Sequence, residues 1–230
     1  MQLISTANDG DVATVEKLLK AGAKVDRGAY NVHEAPTIIA PLMAAANAGH
    51  ATVIAVLLKA GAKMNRATTG GFTPLFAAAQ EGHRAAVSVL IGAGAEIDIV
   101  TDEHCTPTHI ATSEGHEAVL ALLIKAGGDV NRTRDCGSSN VFVAAQKNHK
   151  TVLATLLKAG ADVNCARDDG CTPLFIAAAH GYEAVVKALL EAAAQMTVTD
   201  DGRTPLMAAT NRGHTSVVAA LRRWIAGIRY

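Results

Sequence analysis

An all-α fold, a solenoid of seven helix-turn-helix units with β-hairpin-like turns between them, is what this sequence predicts, and three observations predict it. Prolines at Pro41, Pro74, Pro107, Pro173 and Pro205, with Asn140 in the place of a sixth, step by 33 residues and at the last interval by 32. A second ruler keeps the same steps: Gly49-His50, Gly82-His83, Gly115-His116, Asn148-His149, Gly181-Tyr182 and Gly213-His214, with Gly10-Asp11 one step earlier and displaced by a further six residues. The composition is 50% apolar but only 3% aromatic, rich in alanine, which suits close packing between similar neighbours better than one large-residue core.

The segment Thr73 to Asp98 shows one unit in full. Thr73 caps a helix and Pro74 takes its first position, where the missing N–H costs nothing. Phe76 to Ala79 continue it and Gly82 stops it in the left-handed conformation. A second helix from His83 carries Val87, Leu90 and Ile91 as a narrow apolar stripe, and Gly92 and Gly94 are expected to break it before an extended piece, Glu96 to Asp98. Two helices this short cannot bury their apolar faces alone, so each unit needs a neighbour.

In chain order, the units run at about 1–35, 36–68, 69–101, 102–134, 135–166, 167–198 and 199–230, a single domain with terminal caps. The first begins directly in its helix at Leu3, and Asn8, Asp9 and Asp11 give it a polar, capping character. Its second helix, Val12 to Lys20, carries Val15, Leu18 and Leu19. The connection 27–41, RGAYNVHEAPTIIAP, is six residues longer than later links, and it places Tyr30, Val32, Ile38 and Ile39 where other units have glycine and polar turn residues. Those residues either bind a partner or fold back as packing. The fourth unit has His104 where the others have a turn glycine, so either the turn changes type or His104 is a contact residue. The fifth loses its proline in SSNV (138–141) and has Asn148 as its interhelical stop. The sixth ends in LLEAAAQMTVTD with Ala193 in a glycine's place, which makes the last junction the softest one expected. In the seventh, Leu221, Trp224, Ile225 and Ile228 form a stripe expected to seal the array while Arg222, Arg223 and Arg229 face water.

Several chemistries are not expected. Twenty-one basic and 21 acidic residues cancel, which removes the electrostatic reason for nucleic acid or an anionic membrane as partner. No apolar run approaches a membrane span, and the start, MQLISTANDGD, has no basic-then-apolar signal, so a cytoplasmic, reducing location is the default. Cys105, Cys136, Cys165 and Cys171 contain no C-x-x-C pair; Cys105 and Cys171 are equivalent positions two units apart, too distant to bridge, so free thiols are expected. His50, His83, His116, His149 and His214 likewise share one position per unit and cannot converge on a metal. Their expected work is hydrogen bonding at the start of each second helix and between units. The pairs Asp102-Glu103, Asp168-Asp169 and Asp200-Asp201 sit at turn tips, as solvated turn residues or as an acidic contact strip. Neither catalysis, metal nor cofactor is expected.

The segments TPLFAAAQEGH (73–83), TPLFIAAAHGY (172–182) and TPLMAATNRGH (204–214), with the junctions LIKAGGDVN (123–131) and LLKAGADVN (156–164), resemble the ankyrin repeat family along essentially the whole chain. The resemblance implies a protein-interaction module (adaptor, scaffold or recognition subunit) that binds through turn tips and first helices; a stoichiometric inhibitor of a partner enzyme is the alternative. It also implies where contacts fall: beside the turn glycine and just before Gly-His. Those positions are Thr69, Phe72, Gln80 and Glu81 in the third unit, and Asp102, Glu103, His104, Cys105 and Glu114 in the fourth. They continue with Asp135 and Lys147, then Asp168, Asp169 and His180, then Asp201, Arg203 and Arg212. Phe72, an aromatic where solvent is expected, joins Tyr30, Ile38 and Ile39 as an apolar anchor site beside acidic turns. The expected partner is thus a protein segment with one apolar anchor and adjacent Lys or Arg, met by a monomer. In the same family, AGGDVNRT and AGADVNCA resemble asparagine hydroxylation sites, which makes Asn131 and Asn164 candidate modification positions. His109, in the opener TPTH, is expected to bond turn backbone and so to be structural.

Overall fold

Threonine or serine hydroxyls start most of the first helices, and their geometry explains the openers. In the computed structural model, which describes residues 1–30 and 38–227, Thr73, Thr106, Ser139, Thr172 and Thr204 each accept a bond from the backbone N–H three residues on. Such a cap is worth about 1 kcal/mol. Ser139 does this without a following proline, so the fifth repeat keeps its helix despite the lost opener.

The chain forms two compact units, Met1–Gly128 and Asp129–Tyr230. The first holds α1 (Gln2–Asn8), α2 (Val12–Lys20), α3 (Pro41–Asn47), α4 (Ala51–Lys59), α5 (Pro74–Gln80), α6 (Arg84–Gly92), α7 (Pro107–Glu114) and α8 (Glu117–Lys125). Between α2 and α3, β1 (Ala29–Tyr30) pairs antiparallel with β2 (Ile38–Ile39), the single ladder among the described residues. First helices pack on first helices, α1 on α3, α3 on α5 and α5 on α7, while the second helices form their own row from α2 to α8. The second unit repeats this with α9 (Asn140–Gln146), α10 (Lys150–Lys158), α11 (Pro173–His180), α12 (Glu183–Glu191), α13 (Pro205–Asn211) and α14 (Thr215–Ile225).

Apolar stripes meet between the rows. Val53, Ile54 and Leu57 of α4, Val87 and Leu90 of α6, and Val152, Leu153 and Leu156 of α10 have no exposed surface. Burying each such side chain contributes ~1.5–3 kcal/mol before chain entropy is charged against it. The first helices are largely alanine, and Ala45, Ala46, Ala78, Ala79, Ala144 and Ala145 are fully covered, which lets the helices approach closely.

Turn tips are built alike. The N–H of Thr68, Thr101, Arg134, Arg167 and Thr199 each bonds the carbonyl four residues later, closing a hairpin-like tip. Neighbouring tips are tied as well: Asp102 N–H to the Gly70 carbonyl at 3.1 Å in the first unit, Asp168 N–H to the Cys136 carbonyl at 3.3 Å in the second.

Three local expectations are corrected. Gly92 is the last residue of α6, and the break belongs to Gly94 at φ 95. Glu96–Asp98 contains a turn and no strand. Ile225 is 61% exposed and does not seal the last repeat, whereas Leu221 is fully buried and Trp224 half-buried. Ile228 and Arg229 lie outside the described residues.

Candidate partner-binding surface

In the first unit, helices α1, α3 and α5 and the tip of the third repeat enclose a groove of about 1000 Å³. Its floor is apolar, with Ile4, Ile39, Met43, Phe72 and Phe76, and its rim is amide and hydroxyl, with Gln2, Asn8, Asn47, Thr69 and Gln80. Among the described residues no charged side chain lines it.

The rim follows from how the repeats are tied together. Asn8, Asn47 and Gln80 each stand two residues before the interhelical glycine. Their carbonyls accept bonds from the next repeat's histidine: His50 Nε2 to Asn8 O at 2.9 Å, His83 Nε2 to Asn47 O at 3.0 Å, and His116 Nε2 to Gln80 O at 2.9 Å. A carbonyl only accepts, so the imidazole proton sits on Nε2 in each case. The same rings fill the space over the glycines. A Cβ on Gly10, Gly49 or Gly82 would lie 2.6–2.7 Å from ring atoms of His50, His83 or His116, and all three glycines hold positive φ. Backbone at the rim is therefore fixed, while the three side-chain amides stay exposed and make no hydrogen bond within the described residues.

Phe72 is 42% exposed and meets Phe76 edge-on, with ring centroids 5.2 Å apart. The groove gathers Ile39, Thr69, Phe72 and Gln80 from the expected contact residues. Glu81 is exposed beyond the rim. The backbones of Tyr30 and Ile38 pair in the β1–β2 ladder; Val32 and the side chains of Tyr30 and Ile38 lie outside the described residues.

On the fourth tip, Asp102, Glu103 and His104 are exposed, and His104 keeps the glycine-type turn at φ 55 with its N–H bonded to the Thr101 carbonyl at 2.9 Å. Cys105 is only 7% exposed beneath that tip and offers a partner almost no surface. Glu114, at the end of α7, is exposed. Buried His109 bonds inside its own repeat: Nδ1 lies 2.9 Å from Thr106 Oγ1 and accepts the Thr106 N–H at 3.5 Å, which completes a capping box and reaches no neighbouring turn in those bonds.

In the second unit most expected contacts are already engaged. Asp135 and Lys147 are exposed. Asp168 is exposed, and its carboxylate comes within 2.6 Å of where a Cβ on Gly137 would lie. Asp169 pairs with Arg167 at 3.4 Å and accepts the Cys171 N–H at 3.1 Å. Arg203 pairs with Asp201 at 2.6 Å and covers the Phe175 ring at 5.3 Å, so the Asp201 charge on the last tip is already met. The bonds from Arg203 and the Thr199 hydroxyl hold the Asp201 carboxyl down at about 2. Arg212 Nη1 donates to the Ala179 carbonyl at 2.9 Å, and His180 bonds the Ile176 carbonyl and stacks on Tyr182. Asn131 Oδ1 accepts from Asp162 N–H and Asn164 Oδ1 from Gln195 N–H, both at 2.8 Å, so both asparagines tie successive junctions. The four cysteines are free, and burial pushes the Cys171 thiol up to about 11.

Reasoning from the sequence missed Ile4, Asn8, Met43 and Asn47, because contact positions were carried over only from the third unit onward. The Gly-His ruler holds the signal: counting back two residues from Gly10 and Gly49 gives Asn8 and Asn47, as Gly82 gives Gln80.

Among the described residues no cluster of side chains is arranged to hold a metal ion, and no helix is long and apolar enough to cross a membrane. The family model described as ankyrin repeats (3 copies) matches residues 3–101, 42–134, 87–167 and 141–228. Among solved structures, the human ASB11 ankyrin repeat domain is similar with a TM-score of 0.83, covering 95% of this chain and 97% of that one at 24% identity, a likeness of fold. No curated protein matches the chain.

Proposed function

This chain belongs to the ankyrin repeat family, and on that premise we propose that it is a protein-recognition module whose contact surface is the groove of its first three repeats. Repeats of this family are generally protein–protein interaction modules and are not typically enzymatic. The observation that carries the reading is Phe72: a large aromatic left 42% exposed over a preformed groove with an apolar floor. An exposed aromatic beside a pocket is the kind of anchor that dominates binding energy, and a rigid groove loses little entropy on association.

The partner presents an apolar side chain to Phe72, over the nearly buried Phe76 and Met43, with Lys or Arg beside the exposed carboxylate of Asp102 on the next tip. Phe72→Ala weakens binding to a partner captured from native lysate by about 1–3 kcal/mol while leaving far-UV helicity unchanged. Unaltered affinity would refute the site. Whether the module positions its partner or inhibits it is read from the partner's own activity at one-to-one occupancy.

A further inference from the structure

The groove's chemistry narrows its occupant, and we propose that it takes an extended, uncharged peptide segment with apolar side chains three residues apart; this rests on the groove being the protein-binding surface. Two ladders run through it in the repeat register. Ile4, Met43 and Phe76 stand six residues before Gly10, Gly49 and Gly82; Asn8, Asn47 and Gln80 stand two before. Members of each pair are i and i+4 on one helix, so they share a face, apolar below and carboxamide above.

A carboxamide offers one acceptor and donor hydrogens, the same complement as a peptide group. These three amides have no partner within the described residues, and their backbones are held by His50, His83 and His116. They are thus fixed in step with the repeats and open to a ligand's backbone. Packed helices lie ~8–10 Å apart. Three residues of polyproline II or β chain advance ~9–10 Å, which brings every third residue of an extended segment to the same place in successive repeats. An α-helix has its own backbone bonds satisfied along its length and would leave the ladder of amides unmatched.

Charge sets the second condition. With no charged side chain in the lining among the described residues, a Lys, Arg, Asp or Glu pressed into the groove would lose water and meet no side chain of opposite charge. Basic residues of the partner therefore fall outside it, past the Phe72 end, where Asp102 N–H is tied to the Gly70 carbonyl and its carboxylate is exposed.

The test uses the full chain and three capped peptides in a proline- and glycine-rich host, followed by fluorescence anisotropy. One carries Leu-Pro-Pro-Leu; the second has the same composition as Leu-Pro-Leu-Pro; the third carries Leu-Pro-Lys-Leu. The first is expected to bind at least tenfold tighter than the other two. Asn47→Ala is expected to weaken it severalfold with helicity and unfolding midpoint unchanged, since the carbonyl that holds His83 is retained. Equal affinities, preference for the alternating or lysine peptide, or no saturable binding into the millimolar range would overturn the inference. Those results, together with loss of the captured partner on Phe72→Ala, remove the segment chemistry and leave the recognition surface standing. An unchanged capture removes the surface itself.

Discussion

Among the described residues, three without glycine's freedom hold left-handed backbone: His104 at φ 55, Asn148 at φ 60 and Ala193 at φ 64. Asparagine and histidine adopt this region with some local polar compensation, whereas alanine has none and carries a cost of ~1–2 kcal/mol. A stop residue one past the C-cap at the equivalent places, Gly127 and Gly160, has nothing within 4 Å of its missing Cβ, so strain at Ala193 is purely of the backbone. Ala193→Gly is therefore expected to stabilise the protein by about 1 kcal/mol, seen as a higher urea midpoint at constant slope; a lower midpoint would show that the turn does not carry the cost. Asp201 gives a pH signature. Its carboxyl lies at about 2 against an ordinary 3.8, so its ion pair with Arg203 contributes fully above pH ~4 and is lost as pH falls towards 2. Thermal unfolding of the chain and of Asp201→Asn is expected to differ at neutral pH and to converge in that acid window. Cys105 shows what residue-level pattern could not tell. Phe72, Cys105, Ser138 and Cys171 share one register position, and the slot there buries a thiol or hydroxyl at 7% exposure but leaves the phenyl ring standing out at 42%. Position was legible; only side-chain size against the next tip decides which way each residue points.

Elements follow the repeat closely because each boundary has a local chemical cause: a hydroxyl cap at one end, a positive-φ stop at the other. Openers and stops were therefore readable even in the fifth repeat, where Ser139 and Asn148 replace the usual residues. Ile225 was not readable. The last helix, α14, runs 11 residues against nine for α12, so Trp224 and Ile225 lie beyond the length its neighbour can cover, and periodicity alone does not reveal an overhang. The histidine-over-glycine joint is the element that spaces the groove. Gly82→Ala would push a Cβ to 2.6 Å from His116 Nδ1 while forcing alanine to φ 72, and is expected to cost about 2–4 kcal/mol. Adding His116→Ala relieves the clash but not the backbone strain, so the double variant is expected to lose less than the sum of the singles in a chemical-unfolding cycle. Strict additivity would mean that ring and turn are not in contact.

At the scale of the whole molecule, charge is balanced and no charged side chain among the described residues lines the groove, so the proposed recognition rests on shape, apolar contact and amide pairing instead of long-range attraction. The family and an aromatic left exposed at Phe72 were legible in the sequence. The groove's other half was not, since Ile4 and Met43 look like ordinary core residues until α1 and α3 are seen to leave one face open. The most direct measurement is the dissociation constant of the captured partner for the native chain, for Phe72→Ala and for Asp168→Asn, an exposed carboxylate of the second unit. Recognition by the groove predicts at least a tenfold loss for Phe72→Ala and less than a twofold change for Asp168→Asn. An unchanged constant for Phe72→Ala, or the larger loss at Asp168, would contradict it.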